Sequence, residues 1–82
     1  MKVTAYVPVR QYTRYLPEYV TIYDFPMDAL DAGEILWKRG ARYLVVVEAE
    51  LDEYSGKLFE KYWEVRCHRD NLRVVKVRAA RP

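Results

Sequence analysis

The sequence predicts a mainly β domain, and three observations carry that prediction. Residues 42–51, 57–69 and 72–79 are rich in β-branched and aromatic side chains. The segments between them, Asp52-Glu53-Tyr54-Ser55-Gly56 and Asp70-Asn71, have the residue types of turns between antiparallel strands. The N-terminal end alternates apolar and polar residues with a period of two.

Taken in order, Val3, Ala5, Val7 and Val9 alternate with Lys2, Thr4, Tyr6, Pro8 and Arg10, the pattern of a half-buried strand. Pro8 has no N–H for a ladder, so this strand is expected at a sheet edge or ending near it. Residues 11–18 are polar and aromatic, are closed by Pro17, and read as a loop. Val20 and Ile22, flanked by Tyr19, Thr21 and Tyr23, predict a second short strand that ends before Pro26.

Residues 24–40 fit two periods. As one helix, Asp24 caps it, Pro26 falls in the first turn, Leu30 and Leu36 face inward and Gly40 stops it. Alternatively, one helical turn at 27–32 precedes a strand at 34–37 that turns at Lys38-Arg39-Gly40 into the strand from Arg42. The second reading is favoured, because Gly33 and Gly40 then both sit where backbone freedom is useful. It leads to a small SH3-like barrel of five or six antiparallel strands with one short helical turn. The first leads to an α+β fold, one helix packed on a four- or five-stranded antiparallel sheet.

The last two runs are expected to form a hairpin with a three-residue loop at 70–72 and Arg69 opposite Arg73. Cys67 then faces Val75, Val65 faces Val77 and Trp63 faces Ala79, which makes one face wholly apolar. The other face pairs Glu64 with Arg78, sets Arg66 directly across from Lys76 and brings His68 near Val74. A two-residue loop instead opposes Val65 to Lys76 and Trp63 to Arg78, mixing core with charge. The expected core is Val7, Val20, Ile22, Leu36, Tyr43, Val45, Val47, Trp63, Val65, Cys67, Val75 and Val77.

At 82 residues the chain has material for one core, so residues 1–82 are expected to be a single domain. The formal charge of +2 is too small to argue a nucleic-acid partner from composition alone. Cys67 is the one cysteine, so no intramolecular disulfide can form and a reducing, cytoplasmic setting is expected. The first residues lack the apolar stretch of a signal peptide, and no run approaches the roughly 20 apolar residues of a membrane helix. No membrane association and no cofactor are expected.

Catalytic chemistry finds little material. Cys67 and His68 are adjacent on a strand and so point to opposite faces, which separates a nucleophile from its base. A metal site needs three or four ligands, and one cysteine with one histidine leaves only carboxylates without a characteristic spacing. Asp24, Asp28, Asp31 and Glu34 have helical spacing, but acids in a first turn are explained by the helix dipole. The chain has no phosphate-cradling glycine loop, no Gly-x-Ser-x-Gly elbow and no Walker lysine motif. The expectation is a non-enzymatic binding module.

Two surfaces are candidates for that binding. Five of the eight tyrosines lie in the first 23 residues, more than a small core takes up. Tyr12, Arg14, Tyr15, Tyr19 and Tyr23 are therefore expected to dock a protein partner, with an accessory role in a nucleic-acid-processing assembly as one setting. The alternative is direct nucleic-acid binding through a basic hairpin face of Tyr62, Arg66, His68, Arg69, Arg73, Lys76 and Arg78. Glu48, Glu50, Asp52, Glu53, Glu60 and Glu64 oppose it, and Glu48 or Glu50 is expected to neutralise Arg66. A third reading is a subunit that assembles with itself through the same tyrosines or the strand carrying Pro8.

Overall fold

A computed structural model describes residues 1–25, 30–52, 56–59 and 61–81. The strands are β1 (Lys2–Val9), β2 (Tyr19–Asp24), β3 (Tyr43–Glu50), β4 (Lys57–Leu58), β5 (Trp63–His68) and β6 (Leu72–Ala79), with one helix, α1 (Leu30–Lys38), between β2 and β3. All neighbours are antiparallel in one six-stranded sheet of order β4-β5-β2-β1-β3-β6. The protein is mainly β, as the sequence predicts, and its helix lies on the sheet as in the α+β alternative.

The sheet is curled, and a chain-length argument shows why. β5 and β6 are separated in the sheet by β2, β1 and β3, so a flat sheet would hold them about 19 Å apart. A 3-10 turn of three residues, Arg69–Asn71, joins His68 to Leu72, and four residue steps reach at most about 14 Å. The ends must therefore bend toward each other. The curl buries the concave face around Ala5, Val7, Val20, Ile22, Val45, Val47 and Val65, with Leu16, Cys67, Leu72 and Val77 packed against them. β5 and β6 share no ladder, so the sheet does not close into a barrel.

This arrangement overturns the expected hairpin. Cys67 pairs with Val20 and Val65 with Ile22 on β2, while Val77 pairs with Val45 and Lys76 with Val46 on β3. Arg66 lies opposite Thr21 rather than Lys76. The alternation that suggested one apolar hairpin face is real, but each strand satisfies it against a different neighbour.

The convex face carries a second apolar layer. Tyr6, Leu44 and Val46 point this way from the sheet and are covered by Leu36 and Ala32 of α1, with Phe25, Tyr62 and Ala80 alongside. β3 is apolar at consecutive positions because both of its faces are buried. Burying a residue such as Leu36 or Leu44 stabilises the fold by about 1.5–3 kcal/mol each.

The strand expected at 34–37 is part of α1; residues 27–29 of the expected helical turn, and the side chain of Leu30, lie outside the described residues. Gly33 is tolerated inside the helix because α1 packs directly on the chain end after β6. A Cβ there would sit 2.4 Å from the Ala80 carbonyl oxygen. The helix ends where Gly40 takes φ +102°, with Gly40 N–H donating to Trp37 O at 2.9 Å and Ala41 N–H to Leu36 O at 3.1 Å.

β1 lies inside the sheet rather than at an edge, and it ends at Val9, just past Pro8, which is the other outcome expected of that proline. Arg42 N–H donates to Val9 O, so Val9 faces β3 and Pro8 faces β2. The β1–β2 ladder is matched only at Tyr6 and Tyr23, so no donor is required at Pro8. Of the expected core, Val7, Val20, Ile22, Leu36, Val45, Val47 and Val65 are buried, and Tyr43, Trp63, Cys67 and Val77 are half-buried. Val75 is instead 42% exposed. It is the unmatched residue of a bulge, since Val46 pairs with Lys76 and Val47 with Val74.

Candidate functional site

The residues singled out for docking group around the loop of residues 10–18, which is tied down at several points. Tyr12 meets Tyr43 edge to face at 5.8 Å. The Thr13 hydroxyl accepts from Tyr15 N–H at 3.0 Å, a local turn that fixes the backbone beneath Tyr15. Leu16 packs against the concave core. Arg69 holds the far side twice: its N–H donates to Glu18 O at 2.8 Å and its guanidinium to Leu16 O at 3.2 Å. Between these anchors the Tyr15 side chain is presented to solvent, with the residue 92% exposed. Arg14 and Tyr15 line a shallow depression with Arg69 and Asp70.

Tyr19 stands at the start of β2, 52% exposed, between two cross-strand partners. His68 meets its ring edge to face at 5.1 Å and the Arg66 guanidinium lies 5.6 Å from the ring centre. His68 Nδ1 accepts the Asp70 N–H at 3.0 Å, which leaves the ring proton on Nε2, 3.5 Å from the Glu18 carboxylate. The 3-10 turn thus links the tyrosine loop to β5, with Arg14 and Tyr15 beside its Arg69 and Tyr19 beside His68 and Arg66 at its start. Tyrosine and arginine are the residue types that dominate binding energy at protein interfaces.

Tyr23 belongs elsewhere. It faces Tyr62 at 5.6 Å on the convex face and hydrogen-bonds Arg39. Burial raises its phenol above the ordinary value of 10.0, and the nearby Glu64 carboxylate adds to that rise. Tyr62, placed by sequence on the basic face, is buried. It stacks on Phe59 at 4.9 Å, contacts Phe25 at 5.1 Å and lies under the Arg39 guanidinium at 5.4 Å. No base can reach it as a stacking platform.

The basic residues do not form one face. Arg66 and His68 lie on β5, whereas Arg73, Lys76 and Arg78 lie on β6 beyond three intervening strands. Glu48 does not neutralise Arg66: it pairs with Arg73 and, at 3.7 Å, with Lys2. Glu50 lies opposite Lys2 on β1 and is likewise remote from Arg66. Arg78 lies 5.4 Å from the Tyr6 ring centre.

Cys67 packs on the concave core, and burial pushes its thiol above the ordinary value of 9.0. His68, next in sequence, sits on the opposite face against Tyr19. Among the described residues no group of three or more His, Cys, Asp and Glu side chains is placed to hold a metal ion. Asp28, the Asp31 side chain, Glu53 and Glu60 lie outside the described residues. No helix among them is long and apolar enough to cross a membrane.

The signal for this grouping was the pair Tyr19 and His68 with Arg69 next to it, but only the strand order brings them together. Comparison with protein-family models, curated proteins and solved structures finds no match to this chain.

Proposed function

We propose that this chain is a non-enzymatic binding module that docks on a protein partner through Tyr12, Arg14, Tyr15 and Tyr19, with Arg66 and Arg69 at the margin. The observation that carries the reading is Tyr15, a ring 92% exposed on a loop fixed on both sides. An exposed large aromatic side chain gains little in water. On an anchored backbone it offers contact area at small entropic cost, because the loop is ordered before binding. The neighbouring arginines supply the bidentate donors that accompany tyrosines in interface centres.

The test is site-specific photo-crosslinking in cells that express the chain. A photoreactive residue replaces Tyr15 in one sample and Leu58, exposed on the far edge strand β4, in another. Position 15 is expected to give one discrete protein adduct and position 58 none. Tyr19→Ala with Tyr12→Ala should weaken capture by about 2 kcal/mol or more. Equal adducts from both positions would sink the reading, and so would an adduct only with a second copy or only with nucleic acid.

A further inference from the structure

On the convex side, away from the tyrosine loop, α1 and the end of β6 enclose a groove of about 540 Å³. Its base is the close approach of Gly33 to Ala80. Trp37, with the Arg81 guanidinium stacked on its ring, and Arg78 line it. Lys38 and Glu34 complete the lining and pair with each other at 3.4 Å. Among the described lining residues three cations stand against one carboxylate, a net +2. Among the described ion pairs neither Arg78 nor Arg81 meets a carboxylate. Each guanidinium instead rests on a ring, Arg78 at 5.4 Å from Tyr6 and Arg81 at 4.3 Å from Trp37. Stacking holds an arginine in place while leaving its in-plane N–H donors open to an anion.

We infer that this groove binds a small organic phosphomonoester, its phosphate held by Arg78 and Arg81 and its organic part lying beside the stack of Arg81 on Trp37. A phosphomonoester carries about −1.5 to −2 at neutral pH, which matches the net charge of the groove, whereas a carboxylate would leave one guanidinium uncompensated. Two guanidinium groups from separate positions also suit an anion with three acceptor oxygens. The volume exceeds what a phosphate alone fills, and the planar stack of Arg81 on Trp37 suits an aromatic ring beside it.

The experiment is an NMR titration of the full chain with phenyl phosphate, and separately with inorganic phosphate, at low salt. Phenyl phosphate is expected to shift the Trp37 indole N–H and the Gly33 amide and to bind about tenfold more tightly than inorganic phosphate. Arg81→Ala should weaken it by about tenfold or more, the loss of one charge-assisted hydrogen bond. Arg78→Ala should do the same. Should that variant lose its fold through the missing contact with Tyr6, Arg81→Ala decides the matter alone. Arg73→Ala, at the other end of β6, should change nothing. The inference is overturned if Arg81→Ala binds as the parent does. It is equally overturned if the shifts centre on Lys57 and Arg66, or if inorganic phosphate binds as tightly as phenyl phosphate.

Discussion

Gly33 carries the sharpest consequence of the packing at the scale of one residue. In an exposed helix interior, replacing glycine by alanine stabilises by about 1 kcal/mol. Here the added Cβ would lie 2.4 Å from the Ala80 carbonyl oxygen, a backbone atom that cannot swing away. Gly33→Ala is therefore expected to destabilise by about 1–3 kcal/mol, read as a lower urea midpoint, and a rise would refute the close approach. Sequence reading took Gly33 as evidence against a helix, because a spacing pattern cannot distinguish a glycine that breaks a helix from one that lets a helix touch a neighbour. Tyr62 misled for a similar reason. Its place among basic residues suggested a surface, while Phe25, which packs on it together with the neighbouring Phe59, comes from a distant segment. Two half-buried groups that are neutral when protonated also set a pH dependence. Tyr23 and Cys67 both have folded values raised by burial above 10.0 and 9.0. The unfolded chain therefore loses their protons first. Their contribution is fully present below the unfolded values and is lost as pH rises through the folded ones. Stability should fall above about pH 9, and Tyr23→Phe with Cys67→Ala should flatten that fall in urea melts at successive pH values.

At the scale of elements, the strands and their faces were legible, because period-two alternation survives whatever neighbour a strand acquires. Val65 and Cys67 face the concave core as the alternation of β5 requires, although their partners are on β2. Strand order was not legible, since a short polar link suggests a hairpin equally well when it crosses the open side of a curled sheet. The consequence is that β6, not β1, is a long free edge. Such an edge is a template for pairing with another chain unless something prevents it. β6 carries two devices, the bulge at Val75 and the row Arg73, Lys76 and Arg78. A second copy laid antiparallel on β6 would oppose like charges. Lys76→Val beside the exposed Val75 removes one charge and extends the apolar run. It should produce concentration-dependent association in sedimentation velocity, while the parent chain stays a monomer over the same range. Association of the parent through β6 would show that these devices do not guard the edge.

At the scale of the whole molecule, the charge distribution separates the docking reading from direct nucleic-acid binding. A phosphate backbone binds through a continuous series of contacts, and its affinity falls with salt in proportion to their number. The hairpin would have supplied such a series. The curled sheet instead places Arg66 and His68 on one side and Arg73, Lys76 and Arg78 on the other, with Glu48 drawing Arg73 toward the acidic end of β3. The short path between the groups crosses the 3-10 turn, where the Arg69 guanidinium donates to Leu16 O and Asp70 stands beside it, and Glu48 occupies Arg73 on the far side, so among the described residues no continuous cationic series joins them. In an anisotropy titration of single-stranded DNA at low and physiological salt, the slope should therefore correspond to about two phosphates or fewer. Arg66→Glu and Lys76→Glu should act independently, their effects adding within about 0.5 kcal/mol, because the two side chains share no neighbour. A slope of several phosphates, with the two substitutions strongly coupled, would mean that a ligand bridges both groups. The tyrosine loop would then be the margin of a nucleic-acid surface rather than the centre of a protein interface.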